Sequence, residues 1–168
     1  MIKLYTKKTY NHASISFDRQ LSAVYSFGRK QVWNPLNGGF VEEDIKRGLF
    51  KNADCVLYSL AVTEDQLEKM KNVVQQFVAR KERYRYNFLG LFGIMLNRPV
   101  ERDRAFFCSQ FVAYVLEKGC GIKFDKPVSL IVPGDLEMLS ELKKEYEGKI
   151  RGFYNMHPFQ VRQAGIIH

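Results

Sequence analysis

Two short runs of strict alternation near the N-terminus constrain the fold more than anything else in this chain. Asn11 to Phe17 sets His12, Ser14 and Ser16 on one side and Ala13, Ile15 and Phe17 on the other. A second alternating run, Leu21 to Phe27, follows after Asp18-Arg19-Gln20. A period of two is the mark of a strand with unlike faces, and three intervening residues suit a hairpin loop. An antiparallel pair is therefore expected, with Phe17 opposite Leu21, Ser16 opposite Ser22, Ser14 opposite Val24 and His12 opposite Ser26. A slip of register brings Tyr25 to that last place instead.

Beyond the hairpin the pattern changes character. Gly28 and Asn34-Pro35-Leu36-Asn37-Gly38-Gly39 are rich in breakers and read as an irregular loop. Glu42 to Arg47 suits a short helix, acidic at its start and stopped by Gly48. Ala53 to Val62 is apolar and β-branched enough for a buried strand. Thr63 with Gln66 three residues on forms a capping box, and Leu67, Met70, Val73, Val74 and Phe77 make the apolar stripe of the helix it opens. Asn87 to Leu96 reads as a short buried helix or the wall of a cleft. From Cys108 the residues Phe111, Val112 and Val115 share one helical face up to Gly119. Pro133-Gly134-Asp135 opens a further helix through Leu142, and the C-terminal stretch is aromatic and irregular or strand-like. Strands and helices mix without a βαβ rhythm, which makes residues 1–168 a single α+β domain.

Composition narrows the classes of function. Hydrophobic residues at 46% and charged residues at 26% are those of a globular chain and exclude disorder. The net charge of +8 favours an anionic partner, unless it serves solubility alone, because the basic residues are spread along the chain. Arg80 to Arg85, with Tyr84 and Tyr86 interleaved, is the one basic-aromatic cluster that a nucleic acid could use. The longest apolar run, Phe88 to Leu96, is too short to cross a bilayer. Met1 to Lys8 holds no apolar signal core, so the cytoplasm is the expected compartment. Cys55, Cys108 and Cys120 lack CxxC spacing and show no regular relation to His12, His157 and His168. Neither a disulfide framework nor zinc is expected, and nothing calls for a cofactor.

Three cysteines remain to be weighed as nucleophiles. Cys55 falls mid-strand, as a small buried hydrophobe does, and Cys120 follows a helix between two glycines. Cys108 begins a helix, where unpaired N–H groups and the helix dipole favour a thiolate and could hold an oxyanion. A thiol nucleophile needs a base. His157 precedes a proline in the C-terminal stretch and His168 is the last residue, whereas His12 sits on the polar side of its strand. Ser26, opposite His12 in the hairpin, is the candidate to orient the imidazole. Tyr10, Tyr25, Ser109 and Gln110 are the candidates to contact a substrate.

Three segments carry a resemblance to a known family. Asn11-His12-Ala13-Ser14-Ile15 resembles a His-x-x-Ile strand, and Phe107-Cys108-Ser109-Gln110-Phe111-Val112 resembles a Cys-Ser-Glu/Gln-x-Val helix start. Pro133-Gly134-Asp135-Leu136 is similar to a Pro-x-Asp-Leu segment. Together, with the histidine ahead of the cysteine, they resemble the circularly permuted branch of the NlpC/P60 papain-like cysteine hydrolases. That resemblance implies an antiparallel sheet bearing the histidine, packed against the helix that bears the nucleophile. It implies hydrolysis of a small amide or peptide through a thioester, with Cys108 as nucleophile and His12 as base. Acyl transfer or thioester hydrolysis on lipids, and a non-catalytic basic binding module on the same fold, are the alternatives. The family's usual third residue is His, Glu, Asn or Gln, and Ser26 departs from it.

Overall fold

The computed structural model of the chain describes residues 2–7, 9–30, 37–45 and 53–156, with backbone alone described for residues 2–7, 9–11 and Arg29. Among the described residues eight strands and five α-helices follow in a mixed order that makes the fold α+β.

The strands β1 (Ile2–Lys7), β2 (Thr9–Ser16), β3 (Val24–Arg29), β4 (Gly38–Glu42), β5 (Asp54–Leu60) and β8 (Leu142–Lys149) form one sheet in the order β4-β3-β2-β1-β5-β8. Every neighbouring pair in it is antiparallel. β1, which carries no clean alternation, lies in the interior of the sheet between β2 and β5. The two remaining strands, β6 (Arg85–Tyr86) and β7 (Ala105–Phe106), form a small parallel pair.

The expected hairpin is present, but its register is shifted by two residues. Ser16 faces Val24 and Ile15 faces Tyr25, where Ser22 had been expected opposite Ser16. The cause lies in the connection. The Asp18 carboxylate accepts from the Ser22 backbone N–H at 3.0 Å and from the Ser22 hydroxyl at 3.1 Å, which winds the chain into a longer turn. Leu21 adopts φ 52 there and is buried, so the second strand starts at Val24 rather than Leu21.

Both faces of this sheet are covered. On one face Ala13, Ile15, Phe27 and Phe40 meet Met70, Val74 and Phe77 of α1 (Glu64–Ala79) and Phe111, Val112, Val115 and Leu116 of α3 (Cys108–Cys120). Phe77 stands edge-on to Phe27, Phe106 and Phe111 with centroids 5.1–5.9 Å apart, an arrangement aromatic quadrupoles favour. On the other face Leu21, Val24, Ile45, Cys55 and Leu57 pack with Ile150 and Phe153 of α5 (Ile150–Met156). Ser14 and Ser16, expected on an open polar side, are therefore buried.

The helix α1 begins with the expected capping box, Thr63 accepting from the Gln66 N–H and Gln66 from the Thr63 N–H. At the end of α3, Gly121 takes φ 73 as the left-handed cap. Gly119 lies where α3 touches α1, and a Cβ there would overlap Met70.

Elsewhere the expectations give way. Gly38 and Gly39 belong to β4 rather than to a loop, and β4 runs through Glu42 where a helix was expected to begin. Glu43 to Ile45 are not helical, and residues 46–48 lie outside the described residues, as do 34–36. The helix from Pro133 is a single turn and a half, α4 (Pro133–Glu137), because the chain re-enters the sheet as β8 at Leu142. The C-terminal stretch is a strand followed by a helix as far as Met156. Asn87 to Leu96 is the helix α2 (Phe88–Met95), but much of it is exposed rather than buried. His157 and His168 lie outside the described residues.

Candidate active site

The two strands of the small parallel pair set up the site. β7 delivers the chain through Phe107, buried and extended at φ −108, ψ 170, straight into the first turn of α3 at Cys108. Gln110 reaches back so that its Oε1 accepts from the Phe107 N–H at 3.4 Å, and Ser109 donates its hydroxyl to the Ile131 carbonyl at 2.7 Å. These two bonds fix the rotation of the first helical turn, so the position of the sulfur is built in. Ile131 is held in turn by α4, whose Asp135 accepts from the Val132 N–H and from Lys126, each at 2.7 Å.

His12 comes from β2, which packs directly on α3 through Ala13 and Ile15. The imidazole lies between two partners. Its Nε2 is 2.5 Å from Oε1 of Glu43, a residue just beyond β4, and its ring is hydrogen-bonded to the Cys108 thiol. With Nε2 committed to the carboxylate, Nδ1 is the nitrogen left to exchange a proton with sulfur. The Glu43 side chain is 5% exposed and that of His12 18%, so little water screens the pair.

The electrostatics follow from this enclosure. Burial by itself would push the His12 pKa down, but the Glu43 charge, the hydrogen bonds to Cys108 and Glu43, and the Cys108 charge outweigh it and raise it to about 10. Burial would push the Cys108 thiol up, yet the hydrogen bond and charge of His12, with the backbone N–H groups of Ala13 and Ser109, hold it below the usual thiol value. A thiolate beside an imidazolium is the stable form of such a pair. Cys120, which lacks these partners, is pushed up by burial to about 11.

The remaining expected site residues are placed elsewhere. Ser26 is fully buried and donates its hydroxyl to the Ala13 carbonyl at 2.6 Å, so it ties β3 to β2 and does not orient His12. The two-residue register shift moved it away, and Glu43 stands in its place. Ser109 and Gln110 are buried in bonds that hold the helix start, which leaves neither free to contact a substrate. Tyr25 stacks on Phe40 at 6.0 Å on the core side of the sheet. The Tyr10 side chain lies outside the described residues, its backbone in β2 pairing with Thr6 of β1. Glu43 was missed because Glu42-Glu43-Asp44 read as the acidic start of a helix.

Among the described residues no group of three or more His, Cys, Asp or Glu side chains could hold a metal ion. Cys55 donates to the Gly148 carbonyl at 3.3 Å within the sheet, and all three cysteines are thiols. No protein-family model, curated protein or solved structure matches this chain.

Proposed function

We propose that this chain is a cysteine hydrolase that cleaves an acyl bond, an amide or peptide in the first instance, by way of a thioester on Cys108. The observation that carries the reading is the imidazole of His12, bonded to the Glu43 carboxylate at one nitrogen and to the Cys108 thiol within the same ring. Nucleophile, base and orienting carboxylate in that order make a triad recognisable by its roles rather than by its place in the chain.

In this reading the Cys108 thiolate attacks the carbonyl carbon, forming a C–S bond and a tetrahedral oxyanion. Collapse breaks the bond to the leaving amine, which takes its proton from the His12 imidazolium. His12, now neutral, removes a proton from water as that water attacks the thioester. The acid is released, the thiolate leaves, and the imidazolium is restored. Glu43 holds the tautomer and angle of the ring throughout. Backbone N–H groups in the first turn of α3 would supply the donors for that oxyanion.

A strand bearing histidine packed against a helix that opens on cysteine is also the arrangement expected of the permuted papain-like hydrolases. This supports the same reading for the fold. A carboxylate on His12, in place of a serine hydroxyl, weakens the case for an inactive binding module. The test is acid-quench mass spectrometry after mixing with activated esters and anilides of short acyl groups and amino acids. The reading expects an acyl adduct on the peptide containing Cys108, absent from Cys108→Ala. Acylation spread equally over the three cysteines would overturn it.

A further inference from the structure

The helix α2 is built inside out. Gly90 and Gly93 are the residues it buries, and a Cβ on Gly93 would come within 2.6 Å of the Arg98 carbonyl and 2.8 Å of Val100. The large apolar side chains point away from the protein. Phe92 is 62% exposed, Met95 80%, Leu96 71% and Leu89 53%. A globular helix does the reverse, and a contiguous exposed apolar patch of this kind marks an interaction surface.

Its surroundings are cationic. Residues 80–104 hold seven basic and three acidic side chains, which is half of the net charge of +8. Arg83 and Arg85 precede the helix and Arg98, Arg102 and Arg104 follow it, all exposed. Of the acids after the helix, Asp103 pairs with Arg104, which leaves Arg98 and Arg102 against the single carboxylate of Glu101. Exposed apolar side chains flanked in the chain by exposed arginines fit the boundary between acyl chains and anionic headgroups. No helix among the described residues is long and apolar enough to cross a membrane, so α2 could only lie in the surface.

We propose that α2 seats this chain on the surface of an anionic lipid bilayer. The parallel pairing of β6 and β7 sets Tyr86 beside Phe106, so the chain leaves this pair into α2 and into α3 side by side. Gly90 is accordingly packed on Phe107, the residue before Cys108. The docked helix is thus packed by its inner face on the residue that precedes the thiol, although docking does not depend on Cys108 being catalytic.

The experiment is co-sedimentation of the full chain with vesicles of phosphatidylglycerol and phosphatidylcholine, against phosphatidylcholine alone. Binding to the anionic vesicles is expected, weakened by salt and reduced about tenfold or more in Phe92→Glu/Met95→Glu. Cys108→Ala should bind as the parent does. In a Trp33→Phe background, Phe92→Trp should shift its emission to the blue on anionic vesicles and be quenched by brominated acyl chains. Equal binding of the parent and the Phe92→Glu/Met95→Glu variant, or no binding by the parent, overturns the proposal. So does a dimer that the double variant dissociates while vesicles bind neither form. A marked fall in Tm of the double variant would mean that the face is core, which overturns it too.

Discussion

Oε1 of Glu43 sits 2.5 Å from Nε2 of His12, although the two residues lie thirty-one positions apart and on different strands or their ends. β4 ends at Glu42 after pairing with β3, and this pairing carries Glu43 to the ring. Glu43→Gln keeps the shape and removes the charge. Turnover should fall by about 10²- to 10⁴-fold, the range for a lost acid–base element, while the fold survives. Steady-state kinetics with the best substrate from acyl trapping, beside a circular dichroism spectrum, checks this.

The raised pKa of His12 makes stability depend on pH in a definite direction. In the unfolded chain the imidazole titrates near 6.5, and in the folded chain near 10. At His12 folding takes up a proton between those values. Cys108, held below its usual value of about 9, gives one up, so net uptake is confined to pH above about 9. The imidazolium's own contribution is complete below about 6.5 and is lost as pH rises through about 10, and the net loss of stability falls above about 9. Thermal unfolding from pH 6 to 10.5 should show the parent losing stability that His12→Gln never had. An imidazole carbon resonance followed by NMR should titrate far above the ordinary histidine value.

Ser26 offers a separate check on the hairpin register. Its hydroxyl serves the Ala13 carbonyl, not His12. Ser26→Ala should leave turnover within about twofold and cost about 0.5–1.5 kcal/mol of stability, the net worth of one hydrogen bond. Urea denaturation and kinetics on the same sample would read both.

At the contact of α1 with α3, Gly119 has no room for a side chain against Met70. Gly119→Ala must push the helices apart or shift Met70, at a cost of about 1–3 kcal/mol. The companion Met70→Ala should recover part of that loss in the double variant. Equilibrium unfolding of the four forms gives the coupling.

What could be read from residues alone was local. The Thr63–Gln66 box, the stripe from Met70 to Phe77 and the cysteine at a helix start are patterns within one element, and the structure has them. His12 and Cys108 could be paired because each stood in a revealing local setting. The partner of His12 could not, since it depended on register. Register was decided by Asp18 capturing Ser22 and by Leu21 turning inward, details too small for an alternation pattern to carry. β1 has no clean alternation to mark it, and apolar content leaves α2 open between a buried helix and a cleft wall because it says nothing about which way the side chains point.

In the proposed triad His12 and Glu43 make Cys108 a nucleophile, and competitive alkylation of the three thiols reads that property. Cys55 and Cys108 are both buried and Cys120 is half-buried, so access alone gives Cys108 no advantage. Limiting iodoacetamide at pH 7, followed by peptide mass mapping, should label Cys108 about tenfold or more faster than either other thiol. His12→Ala should abolish that lead, and Glu43→Gln should reduce it. Labelling of Cys108 no faster than Cys120, or unchanged by loss of His12, would contradict the account.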